Sequence, residues 1–153
     1  MTRQQQKRGY SALLAITIAA LTVSLVAWST QFPGKRYVFL FPSLDTGTLI
    51  AESRFLPAAP VQGQEALFVD ELLLGPMTER CQPLFSPGTH RITAFERAGV
   101  LYVDISAEAL AERSGVMSVS AGASLFSRNI LNNFSGIKSV VLFIDGTEAF
   151  ADR

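Results

Sequence analysis

The stretch Tyr10–Trp28 holds no charged residue, and that one fact divides the chain in two. As a helix the run would span roughly 28 Å at 1.5 Å per residue, close to the hydrocarbon thickness of a bilayer. Tyr10 and Trp28 bracket it, as aromatic residues do at membrane interfaces. The expected organisation has four parts. A short basic cytoplasmic tail covers residues 1–9, and a transmembrane anchor covers residues 10–28. A linker over residues 29–35 leads into an extracytoplasmic domain over residues 36–153. A cleaved signal peptide competes with the anchor, because Ala27-Trp28-Ser29 has small residues at cleavage spacing. The run outlasts the usual signal core of about 7–15 residues, however, and Trp28 is bulky beside the cut. No cysteine follows the run directly, which argues against a lipidated cysteine there. Arg3, Lys7 and Arg8 precede the segment and Lys35 and Arg36 follow it, so the positive-inside bias is slim. The short basic tail places the N-terminus in the cytoplasm. Ser11, Ala15 and Ala19 form a ridge of the kind that can pair helices, read here as ordinary small residues of an apolar helix.

A chain of 153 residues is about one domain long. Hydrophobic residues make up 48% and aromatics 10%, enough for a packed core. Basic and acidic residues number 13 each. Three of the basic ones lie ahead of the apolar run, so the rest is acidic by about three charges and has no electrostatic pull on nucleic acid. Cys81 is the single cysteine, which excludes an intramolecular disulfide and a zinc site built on several thiolates.

Beyond the linker, Arg36–Phe41 reads as a strand apolar on both faces, Pro42–Gly47 as a turn and Thr48–Phe55 as a second strand. Gln64–Leu74 reads as a helix with Ala66, Val69, Leu72 and Leu73 at helical spacing, ended by Gly75-Pro76. Met77–His90 is a long loop, and long loops are often functional or mobile. Arg91–Ser106 reads as a hairpin around Ala98-Gly99. Ser106 is placed to cap a short helix over Ala107–Arg113. A longer helix runs from Ser120 to about Phe134, with Ala123, Phe126, Ile130 and Phe134 on one face. Lys138–Ile144 is the last strand. The fold class is α+β, a mixed sheet of about five strands with two main helices on one face. Two helices leave the other face thinly covered, either for loops and Phe-rich tails or for a partner.

Three stretches carry a resemblance: Glu71–Pro76 (ELLLGP), Pro87–Ser106 (PGTHRITAFERAGVLYVDIS) and Phe134–Gly146 (FSGIKSVVLFIDG). In their order and spacing they resemble the GerMN domain family of sporulation and spore-germination proteins, over roughly Tyr37 to Phe150. The chain departs from the family at Asn132-Asn133-Phe134, where Thr-Leu-Thr is common. The resemblance implies an extracytoplasmic, membrane-linked assembly module.

Chemistry-bearing residues are sparse. Cys81 and His90 share the long loop, and a Cys/His pair can form a nucleophile. Ser86, His90 and Asp104 can be drawn as a triad, but no nucleophile elbow is present. Asp104 and Asp145 end apolar strands, where an aspartate readily accepts backbone N–H bonds at a turn. No catalytic residue, cofactor or metal site is expected. The expected function is a non-catalytic, membrane-tethered module that contacts envelope proteins, or its own copies, through a sheet face or the Met77–His90 loop. The alternative is an envelope ligand-binding or hydrolytic protein using Cys81 and His90.

Overall fold

The computed structural model describes residues 3–31, 34–111 and 114–149; in the first of these segments side chains are described over Leu13–Trp28. The chain forms two compact units, Met1–Gly34 and Lys35–Arg153.

The first unit is one helix, α1 (Arg3–Gln31). Its apolar side chains are exposed, Leu13, Ile16, Leu21, Leu25 and Trp28 among them. The Thr17 and Thr22 hydroxyls donate back to the carbonyls of Leu13 and Ala19, which satisfies both without water. Among the described residues no helix is long and apolar enough to cross a membrane. The transmembrane anchor expected over residues 10–28 is therefore not supported by the described residues. The side chains of the expected tail, of residues 10–12 and of most of the linker lie outside the described residues.

In the second unit β1 (Gly34–Pro42) and β2 (Leu49–Pro57) form a two-stranded sheet. Helix α2 (Gln64–Leu73) follows, then the hairpin β3 (Arg91–Arg97) and β4 (Val100–Ile105). A 3-10 turn at Ala107–Leu110 and helix α3 (Val119–Asn133) lead to β5 (Ser139–Ile144) and β6 (Thr147–Glu148). The last four strands form one sheet in the order β3-β4-β5-β6, with β4 and β5 parallel and the outer pairs antiparallel. Ala98 and Gly99 both take positive φ, 55° and 80°, the geometry of a two-residue I′ hairpin turn.

The α+β class stands, but the single mixed sheet of about five strands does not. There are two sheets, and the reason lies in α3. Asn129 and Asn133, one helical turn apart, present their amides to the free edge of β1. The Val38 and Leu40 N–H groups donate to Asn133 and Asn129 Oδ1 at 2.9 and 2.7 Å. The two Nδ2 groups donate back to the carbonyls of Val38 and Leu40, at 2.7 and 3.0 Å. Two side chains thus supply the ladder that a neighbouring strand would have supplied. Asp145-Gly146 does not lead out of the sheet; it turns the chain back into β6. Ser106 caps no helix with its side chain. Its hydroxyl accepts the His90 N–H at 3.1 Å instead.

The core fills between the two sheets and the helices. Tyr37, Phe39 and Phe41 alternate along β1 and are buried. Phe39 stacks on Phe68 of α2 at 4.5 Å, and Phe134 meets Phe68 edge-on at 5.3 Å. The Arg54 side chain, 7% exposed, lies over Phe39 and Phe41. It pairs with Glu52 at 3.0 Å and donates to the carbonyls of Glu71 and Gly75. Glu52 also accepts the N–H groups of Met77 and Thr78, which starts the long loop at a fixed place. The rest of that loop is fastened too. Ser43 and Cys81 form a β-bridge, and Leu84, Phe85 and Ser86 are buried. A Cβ on Gly122 would stand 2.3 Å from the Leu84 carbonyl oxygen, so only glycine lets α3 lie this close to the loop.

Two outcomes follow. Asn129→Leu leaves the Leu40 N–H and C=O without partners and costs about 2–4 kcal/mol, whereas Asn133→Ala, at a half-buried position, costs about 1 kcal/mol; urea titrations of both variants measure this. Burial raises the Glu52 carboxyl pKa, but the Met77 N–H, Arg54 and Thr78 outweigh it and hold the group below its ordinary 4.5. Its contribution to stability is full above 4.5 and is lost as the pH falls through the lower folded value. Glu52→Gln flattens that acid limb of a stability–pH curve.

Candidate functional site

The alternation of β4 sorts the four-stranded sheet into two faces. Leu101, Val103 and Ile105 point into the core and are buried. Both α2 and α3 meet the sheet on that side: Arg91, paired with the buried Ile105, holds Asp70 of α2 at 2.7 and 3.0 Å, and Ala123 of α3 lines a hollow with Val140 and Leu142 of β5.

The opposite face carries Thr93, Phe95 and Arg97 of β3, Val100, Tyr102 and Asp104 of β4, and Ser139, Val141 and Phe143 of β5. Phe143 pairs with Glu148 of β6. The apolar part of this face is continuous across three strands. Phe95 lies opposite Tyr102, and Tyr102 opposite Val141. The rings of Phe95 and Tyr102 stack at 5.2 Å and 15°. Phe95 is 53% exposed. Among the described residues no helix covers this face, so the thinly covered face expected from the sequence is present. The specific side chains were readable there too: once the hairpin register is set by Ala98-Gly99, alternation alone puts Phe95 and Tyr102 together.

The residues singled out for chemistry sit elsewhere and apart. Cys81 is 3% exposed, and burial, with Glu52 nearby, pushes its thiol pKa up, away from the reactive thiolate. His90 is exposed, with Nδ1 3.2 Å from the Gly88 carbonyl. The Ser86 side chain is buried and its hydroxyl donates to the Ala111 carbonyl. None of these arrangements activates a nucleophile. Asp104 accepts the Gly146 N–H at 3.1 Å, and the Asp145 N–H donates to Ile105. The Asp104 carboxylate therefore secures the turn between β5 and β6, while Asp145 takes part through its backbone N–H. Among the described residues no three His, Cys, Asp or Glu side chains gather as a metal site. A hollow of about 410 Å³ at the sheet's end is lined by Ala107, Leu110, Val119, Ile144 and the acidic Asp145 and Glu148.

A family model described as sporulation and spore germination, named Germane, matches residues 37–150. The chain belongs to the Germane family. The fold agrees. Tandem GerMN domains of the sporulation protein GerM from Bacillus subtilis superpose with a TM-score of 0.60 at 16% identity. That match covers 76% of this chain and 41% of the GerM chain. The first GerMN domain of the same protein gives 0.58 at 16% identity, over 75% of this chain and 86% of that one. An uncharacterized lipoprotein of Treponema pallidum is 28% identical over 82 residues, 54% of this chain and 61% of the relative. This Germane chain thus spans less than two thirds of the curated relative it matches.

In the native Germane domain Cys81 is expected to stay unlabelled by a maleimide or aromatic disulfide reagent, and to react fully in denaturant. Rapid native labelling of Cys81 would contradict the burial described above.

Proposed function

We propose that this chain is a non-catalytic, envelope-associated GerMN module that docks another protein chain on the open face of its four-stranded sheet. The observation that carries the reading is the continuous row of the exposed Phe95 and the half-buried Tyr102 and Val141, with the half-buried Phe143 beside it, on a face that no described helix covers. Monomeric soluble proteins rarely leave contiguous apolar surface of this kind, and where they do it marks a contact site. Aromatic residues are the side chains that interfaces favour at their centres.

The envelope assignment has two supports. The family is one of sporulation and spore-germination proteins, and a relative bears the name lipoprotein. The apolar helix α1 exposes its side chains along the described length, and a lipid phase solvates such a surface better than water does. In this reading α1 tethers the chain to the membrane surface through its exposed apolar side chains. The folded domain then stands outside the membrane, held close to it by the short linker.

A photo-reactive amino acid at Tyr102 in the full-length chain, expressed in its own cells, tests the docking face. Cross-linked protein adducts are expected from position 102 and not from Glu79, an exposed position on the long loop. Adducts from Glu79 alone, or none from Tyr102, would refute the sheet face as the contact.

A further inference from the structure

The open face is asymmetric in charge. Arg97 stands at one corner, on the edge strand β3 beside the hairpin turn. Glu148 stands at the diagonally opposite corner on β6, with Asp104 two strands away in the same end row. Between the two corners the face is apolar: Phe95, Tyr102, Val141 and Phe143. Arg97 and Glu148 are both exposed. Neither has an ion-pair partner among the salt bridges of the described residues.

Such a face is complementary to itself. A two-fold axis lying in the plane of the face, perpendicular to the diagonal between the charged corners, carries each corner onto the other. Arg97 of one copy then meets Glu148 of the second, twice, and Phe143 of one copy comes to lie near Phe95 of the other. The two sheets cross near a right angle, which is one of the two standard ways that sheets pack. The contact is isologous, so it closes at two copies.

We propose that the occupant of the open face is a second copy of this chain, paired about that two-fold axis with Arg97 against Glu148. The proposal rests on the docking reading above and names its partner. The size of the face sets the strength. Strands about 4.8 Å apart and about 3.3 Å per residue give a face of roughly 300–400 Å² per copy, against ~800 Å² per partner in a standard interface. A contact this small is weak between freely diffusing molecules. Two tethered copies meet at an effective concentration in the millimolar range, where a weak contact is occupied.

The test uses charge reversal in the full-length chain. Donor- and acceptor-labelled copies are reconstituted together in lipid vesicles at low protein-to-lipid ratio, and association is read by energy transfer. Arg97→Glu sets carboxylate against carboxylate at both contacts, and Glu148→Arg sets guanidinium against guanidinium. Each variant alone is expected to associate about tenfold more weakly than the unchanged chain. When the two single variants are mixed, both contacts between unlike copies set opposite charges against each other, one with Glu148 against Arg97 and one with the swapped pair, so association between unlike copies returns as well. The chain carrying both Arg97→Glu and Glu148→Arg restores opposite charges at both contacts of its own pair, and its association returns. Both positions are exposed, so circular dichroism of each variant is expected to match the unchanged chain. If the single variants associate as well as the unchanged chain, or if the double variant stays as weak as the single ones, the two-fold pairing is wrong. Failure of the pairing in this assay with retained cross-linking of other proteins from Tyr102 would overturn the second copy and leave the docking face standing. Failure of both would overturn both.

Discussion

The domain depends on how one strand edge is closed. β1 carries three of the aromatic residues at the centre of the core, so it has to be held in place on both sides. One side pairs with β2. The other side has no strand, and an open edge there would leave N–H and C=O groups unpaired next to a packed interior. Asn129 and Asn133 resolve this with two amides set at one helical turn, matching the alternate residues Val38 and Leu40. A primary amide offers a donor and an acceptor side by side, as a peptide group does. The helix therefore acts toward β1 as a third strand would, and Asn129, 0% exposed, is a buried polar group with its bonds made. Because the amides come from α3, the same contact fixes the helix against the two-stranded sheet. The four-stranded sheet then packs on what remains of the helical layer, with its second face left open.

A second polar device sits on β2 of the same sheet. Arg54 is buried over Phe39 and Phe41 but is paired with Glu52 and bonded to the carbonyls that end α2. Removing either partner of such a pair leaves a buried charge uncompensated, which is far costlier than the pair is stabilising. Its effect is positional: it joins β2, the end of α2 and the start of the long loop at one point. That is why a loop with two prolines and no regular structure lies still enough to bury Cys81, Leu84 and Phe85.

Much of this was legible in the sequence. The apolar run Val100–Ile105, the Ala98-Gly99 turn and the helical spacing in Gln64–Leu74 are local signals, and each element formed where its signal lay. The Asp104 turn contact followed from the ordinary habit of aspartate at strand ends. The two-sheet arrangement was not legible, because it turns on Asn129 and Asn133, and asparagine on a helix normally reads as solvent-facing. The available clue was two asparagines four apart on the flank of the stripe Ala123, Phe126 and Ile130. The course of the long loop was not legible for a similar reason. Its fixed course depends on Glu52, Gly122 and Ser43, all distant in sequence. The open face was legible as a shortage of helices, but its charge layout required the register of four strands.

The amides that close the β1 edge lie 89 and 95 positions along the chain from the residues they bond. β1 and β2 are therefore made long before α3 exists. Contacts of such sequence separation form late and slow the folding of the whole. During synthesis the nascent domain carries a bare strand edge flanked by Tyr37, Phe39 and Phe41, and it stays in that condition until nearly the last element has emerged. With this connectivity the first third of the chain gains its cover against stray strand pairing only near the end of synthesis.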